Sequence, residues 1–295
     1  MPLRHVIGLD HVVIAVRDLD AAAAAWRGLG FTVSPRGLHS AHMGSGNYTM
    51  MLGPDYMELL GVVAPTPRNA VMRERLGHRE GLDRAAFTTD DAAGGVAELA
   101  ARGIAATGPV AFGRPVTRPD GTATEARFDT FEWPEDARPG GLGLFACRHF
   151  TREAVWLPEL RVHANGASRI LRLEVLAADP AAAASELARL TDRAPEREPD
   201  GAHRVPTGAG RADIVFLDRA ALAARHPGVA PDALPPDGPA ALVLGTTDAA
   251  AAARAFGTAP GAPILAPPSR ATGVLLRLLP DDAREGGGRD GEGRA

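Results

Sequence analysis

The stretch Gly8-Leu9-Asp10-His11 returns 73 residues later as Gly81-Leu82-Asp83-Arg84. The same offset carries Asp18 onto Asp91, and the alignment between them needs no gap. Repetition at a fixed offset indicates that one supersecondary unit is duplicated in the chain. The two copies therefore predict the architecture, and the exchange of a histidine for an arginine marks where they differ chemically.

Each copy has the same predicted order of elements, a strand, a helix and then further strands. In the first copy, residues 11–16 are apolar and β-branched, which is typical of a buried strand. Either Asp18 or Asp20 is predicted to cap a helix through the alanine-rich residues 21–26. The remaining strands of the first copy are predicted at residues 31–33, 48–52 and 56–62. The second copy predicts strands at residues 85–89, 124–131 and 142–147 and a helix at residues 96–101.

Two fainter copies follow, in which Asp179 and Asp248 align with Asp18 at offsets of 161 and 230. We therefore predict an α+β fold of four βαβββ units in two pairs, each pair a half-open barrel of mixed strands, with the second pair degenerate. The predicted division is a site-bearing pair at residues 1–150, a connector at 151–168, the second pair at 169–282 and a disordered tail at 283–295.

The composition excludes several classes of function. The net charge of −4 over 295 residues gives no reason to expect nucleic acid or a membrane as partner, and we expect a cytoplasmic protein. All 32 basic residues are arginine, which excludes Schiff-base lysine chemistry and a phosphate-binding loop lysine. The single cysteine, Cys147, excludes an internal disulfide and a zinc–cysteine cluster.

The paired units resemble the vicinal oxygen chelate superfamily, and within it the glyoxalase-like domain proteins. The segments that carry the resemblance are Leu9-Asp10-His11-Val12-Val13 and Tyr56-Met57-Glu58-Leu59, supported by Gly28-Leu29-Gly30-Phe31. The resemblance is good over residues 8–176 and faint beyond them. It implies a divalent metal on the concave face of the barrel, held by the first and last strands of the units and binding two neighbouring oxygens of a substrate.

The residues that match this pattern are His11 and Glu58, and Glu58 is also the candidate catalytic residue. Imidazole and carboxylate ligands suit Fe, Mn, Ni, Zn or Co. The second unit departs from the pattern, because Arg84 stands at the ligand position and a guanidinium does not bind a metal. The best third ligand that the sequence offers is His149, near the end of the last strand of that unit.

Two interpretations of the pocket stay open. In one, His11, Glu58 and His149 hold a metal while Arg84 binds a substrate carboxylate. In the other, Arg84 replaces the metal and pairs with Glu58, and the cavity only binds a ligand. Substrate contacts are further predicted for three polar residues of the segment that enters the third strand of the first unit, His39, His42 and Asn47.

Three functions follow from these interpretations. The first is a metal-dependent lyase, isomerase or hydrolase that acts on a small molecule with vicinal oxygens. The second is a non-catalytic protein that sequesters a small molecule, and the third an extradiol ring-cleaving dioxygenase. The last is disfavoured because Arg172 and Ala241 occupy the aligned positions of the second pair, where an iron site would lie. A homodimer is compatible with all three.

Overall fold

The computed structural model describes residues 3–117, 121–259 and 261–281, so the tail for which we predict disorder lies outside the described residues. The first half of the chain forms one sheet, sheet A. Its strands are β1 (Gly8–Val16), β2 (Gly37–Leu38), β3 (Ser45–Met51), β4 (Tyr56–Val62), β5 (Gly81–Thr88), β6 (Thr107–Thr117), β7 (Ala123–Glu132) and β8 (Gly143–His149).

The second half forms sheet B. Its strands are β9 (Ala167–Leu176), β10 (Glu196–Arg197), β11 (His203–Pro206), β12 (Asp213–Leu217), β13 (Gly238–Thr246), β14 (Leu265–Ala266) and β15 (Leu275–Pro280). The helices are α1 (Leu19–Gly28), α2 (Ala70–His78), α3 (Ala92–Ala100), α4 (Pro180–Thr191), α5 (Arg219–Arg225) and α6 (Ala249–Phe256). None of the helices in the described part of the chain has the length and apolar character that a membrane crossing requires.

The strand order confirms two paired units in each half. Sheet A has the order β2-β3-β4-β1-β5-β8-β7-β6, in which β1 runs parallel to β4, β5 runs parallel to β8, and β1 pairs antiparallel with β5. The sheet curves until its edge strands β2 and β6 approach each other, so it is nearly closed. Sheet B repeats the pattern around β9 and β13 and stays open. The predicted α+β fold of mixed half-barrels is confirmed.

One helix cap recurs in all four units. Asp18, Asp91, Asp179 and Asp248 each precede a helix, and each side chain accepts a hydrogen bond from a backbone N–H of the first turn. Such a bond satisfies an N–H group that has no partner within the helix. The faint alignment of the third and fourth copies therefore rests on a structural requirement.

A β-bulge also recurs in all four units, at the residue two positions after the start of the repeated motif. In the pairing of β1 with β5, Asp10 and Asp83 are the residues that the register skips. In the pairing of β9 with β13, Leu171 and Ala240 are skipped at the same offsets. A bulge re-aims the neighbouring side chains, and in the first pair it puts an aspartate beside the residue that follows it.

The structure differs from the sequence prediction at two places in the first half. Residues 31–33 form no strand, because the N–H of Thr32 donates to Nδ1 of His163 in the connector and its hydroxyl donates to the carbonyl of Val162. Conversely, β6 is a long strand despite Pro109 and Pro115, which sequence rules count against a strand. Proline is tolerated there because β6 lies at the edge of sheet A.

The two halves share one continuous apolar core, and the turn between β3 and β4 docks onto the start of β9. Gly53 donates its N–H to the carbonyl of Ser168, and the N–H of Ile170 donates to the carboxylate of Asp55. Asp55 is only 1% exposed. Its burial raises the pKa of the carboxyl to about 7, although the bond from Ile170 acts in the opposite direction.

This buried carboxyl predicts a pH-dependent loss of stability. Because the folded pKa of Asp55 is raised, the folded state binds the proton more tightly than the unfolded state. The contribution of Asp55 to the free energy of unfolding is therefore full below about pH 4 and falls as the pH rises to about 7. We expect Asp55→Asn, whose amide oxygen still accepts from Ile170, to escape this loss, which is on the order of a few kcal/mol.

Urea unfolding at a series of pH values measures this difference. Asp136→Asn, at an exposed position, is the control and should follow the wild-type profile. Parallel profiles for Asp55→Asn and the wild type would contradict the expectation.

Candidate functional site

A cavity of about 570 Å³ lies inside the curve of sheet A, a size that suits a small molecule. Strands β1, β3, β4, β5, β6, β7 and β8 contribute to its wall, and α2 covers one side of it. The predicted metal ligands His11 and Glu58 both line the cavity, as do Asn47, His39 and Arg84. Among the described residues, His42 and His149 are not part of the lining.

His11 is held rigidly at the wall of the cavity. The bulge at Asp10 brings that carboxylate to His11, whose Nδ1–H donates to Oδ2 of Asp10 over 2.8 Å. The imidazole also stacks on the ring of Tyr56, with centroids 4.1 Å apart. Because Nδ1 carries the proton of this bond, the lone pair of a neutral ring is on Nε2. That nitrogen lies 3.8 Å from Oε2 of Glu58.

Asp10 is fully buried and accepts several bonds. Oδ2 also takes the Nε2–H of His149 at 3.0 Å, and Oδ1 accepts from the hydroxyl of Thr88 at 3.0 Å. Burial alone would raise the pKa of Asp10, but the bonds from His11 and His149 outweigh it and hold the pKa well below its ordinary value. Asp10 is therefore an anion that fixes the orientation of two histidines.

Glu58 faces the cavity from β4 and is held by β3. Nδ2 of Asn47 donates to Oε1 of Glu58 over 2.6 Å, which leaves Oε2 directed toward His11. Burial in an otherwise apolar strand is costly for a carboxylate that lacks such a partner. Asn47 itself fits because Gly37 on β2 has no side chain: a Cβ there would lie 2.3 Å from Oδ1 of Asn47.

Arg84 pairs with its own bulge residue and not with Glu58. Its Nε donates to Oδ2 of Asp83 over 3.1 Å, and Asp83 also pairs with Arg138 and Arg75. The two bulges are thus chemically parallel, with Asp10 bonded to His11 and Asp83 bonded to Arg84. Of the two interpretations of the sequence, the pairing of Arg84 with Glu58 does not occur here.

His149 lies behind Tyr56 and not beside Glu58. Its ring packs against Phe128 and Trp156, with centroids 5.0 Å away in each case, and its Nε2 is engaged by Asp10. Its buried Nδ1 has no hydrogen-bond partner among the described residues.

The two histidines predicted to contact the substrate from the loop before β3 lie in different environments. His39 is in the cavity, where its Nδ1 and the hydroxyl of Ser45 lie 2.8 Å apart, and burial lowers the pKa of the imidazole. His42 is exposed, and its Nδ1 lies 3.0 Å from the hydroxyl of Ser40. The structure thus brings His39, Asn47, Glu58 and His11 together and leaves His42 at the surface.

The strand register identifies the position in the second unit that is equivalent to Glu58. Glu58 on β4 pairs with Val13 on β1. Ala86 lies 73 residues after Val13 and pairs with Phe145 on β8, so Phe145 is the counterpart of Glu58. The four equivalent positions around the cavity are therefore held by His11, Glu58, Arg84 and Phe145, of which two have donor atoms for a metal.

The donor set does not make a complete metal site in the cavity. The three potential ligands that lie within 4.8 Å of one another in the described chain are Asp10, His11 and His149. Their facing atoms are already joined by hydrogen bonds through Oδ2 of Asp10. Glu58 has His11 within reach but belongs to no group of three potential ligands among the described residues.

One arginine of the cavity escaped the sequence analysis. Arg114 on β6 reaches across the gap between the edge strands, where its Nη1 would lie 3.3 Å from a Cβ at Gly37. It is partly buried, with Tyr56 and Glu58 nearby. No strand was predicted around Arg114, because the proline and glycine residues of this segment count against one.

The corresponding face of sheet B is filled. Leu222 of α5 packs onto it with Leu217 and Leu275. Glu174 is fully buried there, bonded to His226 and Arg172. In this half the positions equivalent to His11 are held by Arg172 and Ala241, and those equivalent to Glu58 by Val215 and Arg277.

The chain matches the family model of the glyoxalase-like domain over residues 9–191, more than half of its length. No curated protein matches the sequence. Among solved structures, a hypothetical protein from Staphylococcus aureus aligns with a TM-score of 0.68 at 13% identity, covering 92% of this chain and 98% of that one. These values show that the two proteins share a fold.

Two further structures are similar over part of their length or of this chain. A fusion of a xylose isomerase-like TIM barrel with a 4-hydroxyphenylpyruvate dioxygenase has a TM-score of 0.51 at 15% identity, covering 86% of this chain and 40% of that one. Methylmalonyl-CoA epimerase from Mycobacterium tuberculosis has a TM-score of 0.39 at 21% identity, covering 52% and 97%. With the paired βαβββ units and the match to the family model, the chain belongs to the glyoxalase-like domain family of the vicinal oxygen chelate superfamily.

Proposed function

We propose that this protein is an enzyme that moves a proton on a small molecule with two neighbouring oxygens, in a lyase- or isomerase-type reaction. The observation that carries the proposal is the pairing of His11 with Glu58 in the cavity, with 3.8 Å between Nε2 and Oε2. Two groups that can each take or give a proton, both oriented by buried partners, suit general acid–base catalysis.

The roles follow from the hydrogen bonds. Glu58 accepts from Asn47 through one oxygen, so its other oxygen is the base that contacts the substrate. His11, whose Nδ1–H donates to Asp10, has its lone pair on Nε2 and takes up a proton from a substrate hydroxyl, while the proton that Glu58 removes from carbon returns from its carboxyl to the substrate. Asp10 stabilises positive charge on the ring when Nε2 takes up a proton.

The resemblance to the superfamily also implies a divalent metal, Fe, Mn, Ni, Zn or Co, that would bind the two neighbouring oxygens of the substrate. In this cavity His11 and Glu58 are two ligands, and His149 completes the set only if its ring leaves Asp10. The proposed reaction depends on the side chains that face the cavity.

The experiment that tests the proposal is solvent exchange of carbon-bound protons. Small 2-hydroxy and 2-oxo carboxylates and 1,2-diols are incubated with the protein in deuterated water, and proton NMR measures the loss of the signal from the carbon next to the oxygens. Catalysed exchange in one of these classes supports the proposal. A metal-dependent reaction would replace it if the purified protein held near one equivalent of a transition metal that is lost in both Glu58→Gln and His149→Ala.

A second candidate function is binding without catalysis. The observation that favours it is the presence of Arg84 and Phe145 at two of the four equivalent positions around the cavity. Saturable binding of a small molecule, with no exchange and no metal, would favour this function over the first. The dioxygenase is not proposed, because the face of sheet B where its iron site would lie is filled by α5.

A further inference from the structure

Arg114 differs from the other arginines of the cavity because no carboxylate of the described residues forms an ion pair with it. Five arginines and three glutamates line the cavity, which gives it a surplus of positive charge. Arg75, Arg84 and Arg138 all pair with Asp83, and Arg68 pairs with Glu132. Among the described residues, the guanidinium of Arg114 forms no hydrogen bond and no ion pair, and Tyr56 and Glu58 act on it only through Coulombic interaction.

The side chain of Arg114 is partly buried, and its guanidinium stays charged. Burial lowers the pKa of Arg114, while the nearby Tyr56 and Glu58 raise it. An arginine in a protein does not lose its proton under ordinary conditions. Arg114 lines the cavity, so a ligand that enters the cavity can supply acceptors to its N–H groups. Glu58 lies near Arg114 but forms no ion pair with it; its Oε1 accepts from Asn47 and its Oε2 lies toward His11.

The surroundings of Arg114 are apolar on one side. Phe112 lies two residues earlier on the same strand and therefore on the same face. Its ring stacks on that of Phe128, with centroids 5.1 Å apart and planes inclined by 24°, and both rings line the cavity. A ligand anchored at Arg114 thus has an apolar wall beside it and the pair of His11 and Glu58 on the wall of the same cavity.

We propose that Arg114 binds the carboxylate of the ligand, so that the substrates of this cavity are small carboxylates with an apolar, ring-sized substituent. A planar guanidinium matches a carboxylate with two parallel hydrogen bonds. The identification of the carboxylates as substrates rests on the proposed function, whereas the anion site itself does not. Arg114 would decide which molecules are bound, and His11 and Glu58 would decide what happens to them.

The test compares charged ligands with uncharged ligands of the same shape. The pairs are mandelate with mandelamide and benzoate with benzamide, titrated by calorimetry. We expect the wild type to prefer the carboxylate of at least one pair by about 10-fold or more, as a charge-assisted bond supplies. Arg114→Gln should abolish the preference and leave the affinity for the amide unchanged, while Arg114→Lys should keep part of it.

The matched control is Arg127→Gln. Arg127 is exposed on the neighbouring strand β7 and lies outside the cavity, so its loss should leave the preference intact. The proposal is overturned if neither carboxylate is preferred, or if the preference survives in Arg114→Gln. A preference that depends on Arg114 without any proton exchange would support the anion site and count against the proposed reaction. Proton exchange without a preference for the carboxylate would support the proposed reaction and count against the anion site.

Discussion

Replacing Glu58 with glutamine is expected to slow the proposed proton exchange by about 10²- to 10⁴-fold, the contribution of a general base. Glutamine keeps the shape of the side chain and an oxygen that accepts from Asn47, so the wall of the cavity is preserved. What it loses is the ability to take up a proton at the oxygen that faces His11. The rate of deuterium incorporation under saturating ligand measures the effect.

The control for this variant is Glu74→Gln, an exposed glutamate on α2. It should exchange at the wild-type rate. Ligand affinity in Glu58→Gln is measured alongside, because a structural role would weaken binding as well as exchange. Exchange in Glu58→Gln within a few-fold of the wild-type rate would remove Glu58 from the proposed mechanism.

Removing the carboxylate of Asp10 is expected to have the largest effect on stability. Asp10→Ala leaves the ring N–H groups of His11 and His149 buried without an acceptor. Each such group costs roughly 1–3 kcal/mol, so the free energy of unfolding should fall by about 2–6 kcal/mol. Urea unfolding measures the loss, and Asp10→Asn, which keeps an acceptor oxygen, should lose less.

The chain contains a matched exposed pair for comparison. Asp90 accepts from His5 over 2.7 Å, and its side chain is 64% exposed. Because water replaces the lost partner there, Asp90→Ala should cost no more than about 1 kcal/mol. Equal losses in Asp10→Ala and Asp90→Ala would show that the buried pair of bonds does not hold His11 in place.

The repeat in the sequence predicted the fold because the features that recur in each copy depend on interactions between residues close together in the chain. Asp18 and its three counterparts cap helices through bonds to backbone groups two or three residues away. The strand at β4 was predicted with its bounds for the same reason, since a run of apolar residues between turn residues is a local signal. The strand predicted at residues 31–33 failed because the N–H of Thr32 donates to His163 and its hydroxyl to Val162, both in the connector about 130 residues away.

The site was less accessible to sequence reasoning. His11 and Glu58 were predicted together and lie together, because they occupy adjacent parallel strands of one unit. The environments of Arg84 and His149 depend on the bulges at Asp83 and Asp10, which no local pattern showed. The recurrence of an aspartate in both copies of the motif was the available signal.

The sequence by itself determined the repeated unit, the pairing of units and the placement of His11 and Glu58 together in the first unit. Only the tertiary structure decided that Asp10 binds two histidines, that Phe145 stands opposite Glu58 in the pseudo-symmetry, and that Arg114 enters the cavity. The physical reason is the range of the interactions. Caps and strand patterns act over a few residues, whereas the near-closure of sheet A joins residues from strands that are far apart in the chain.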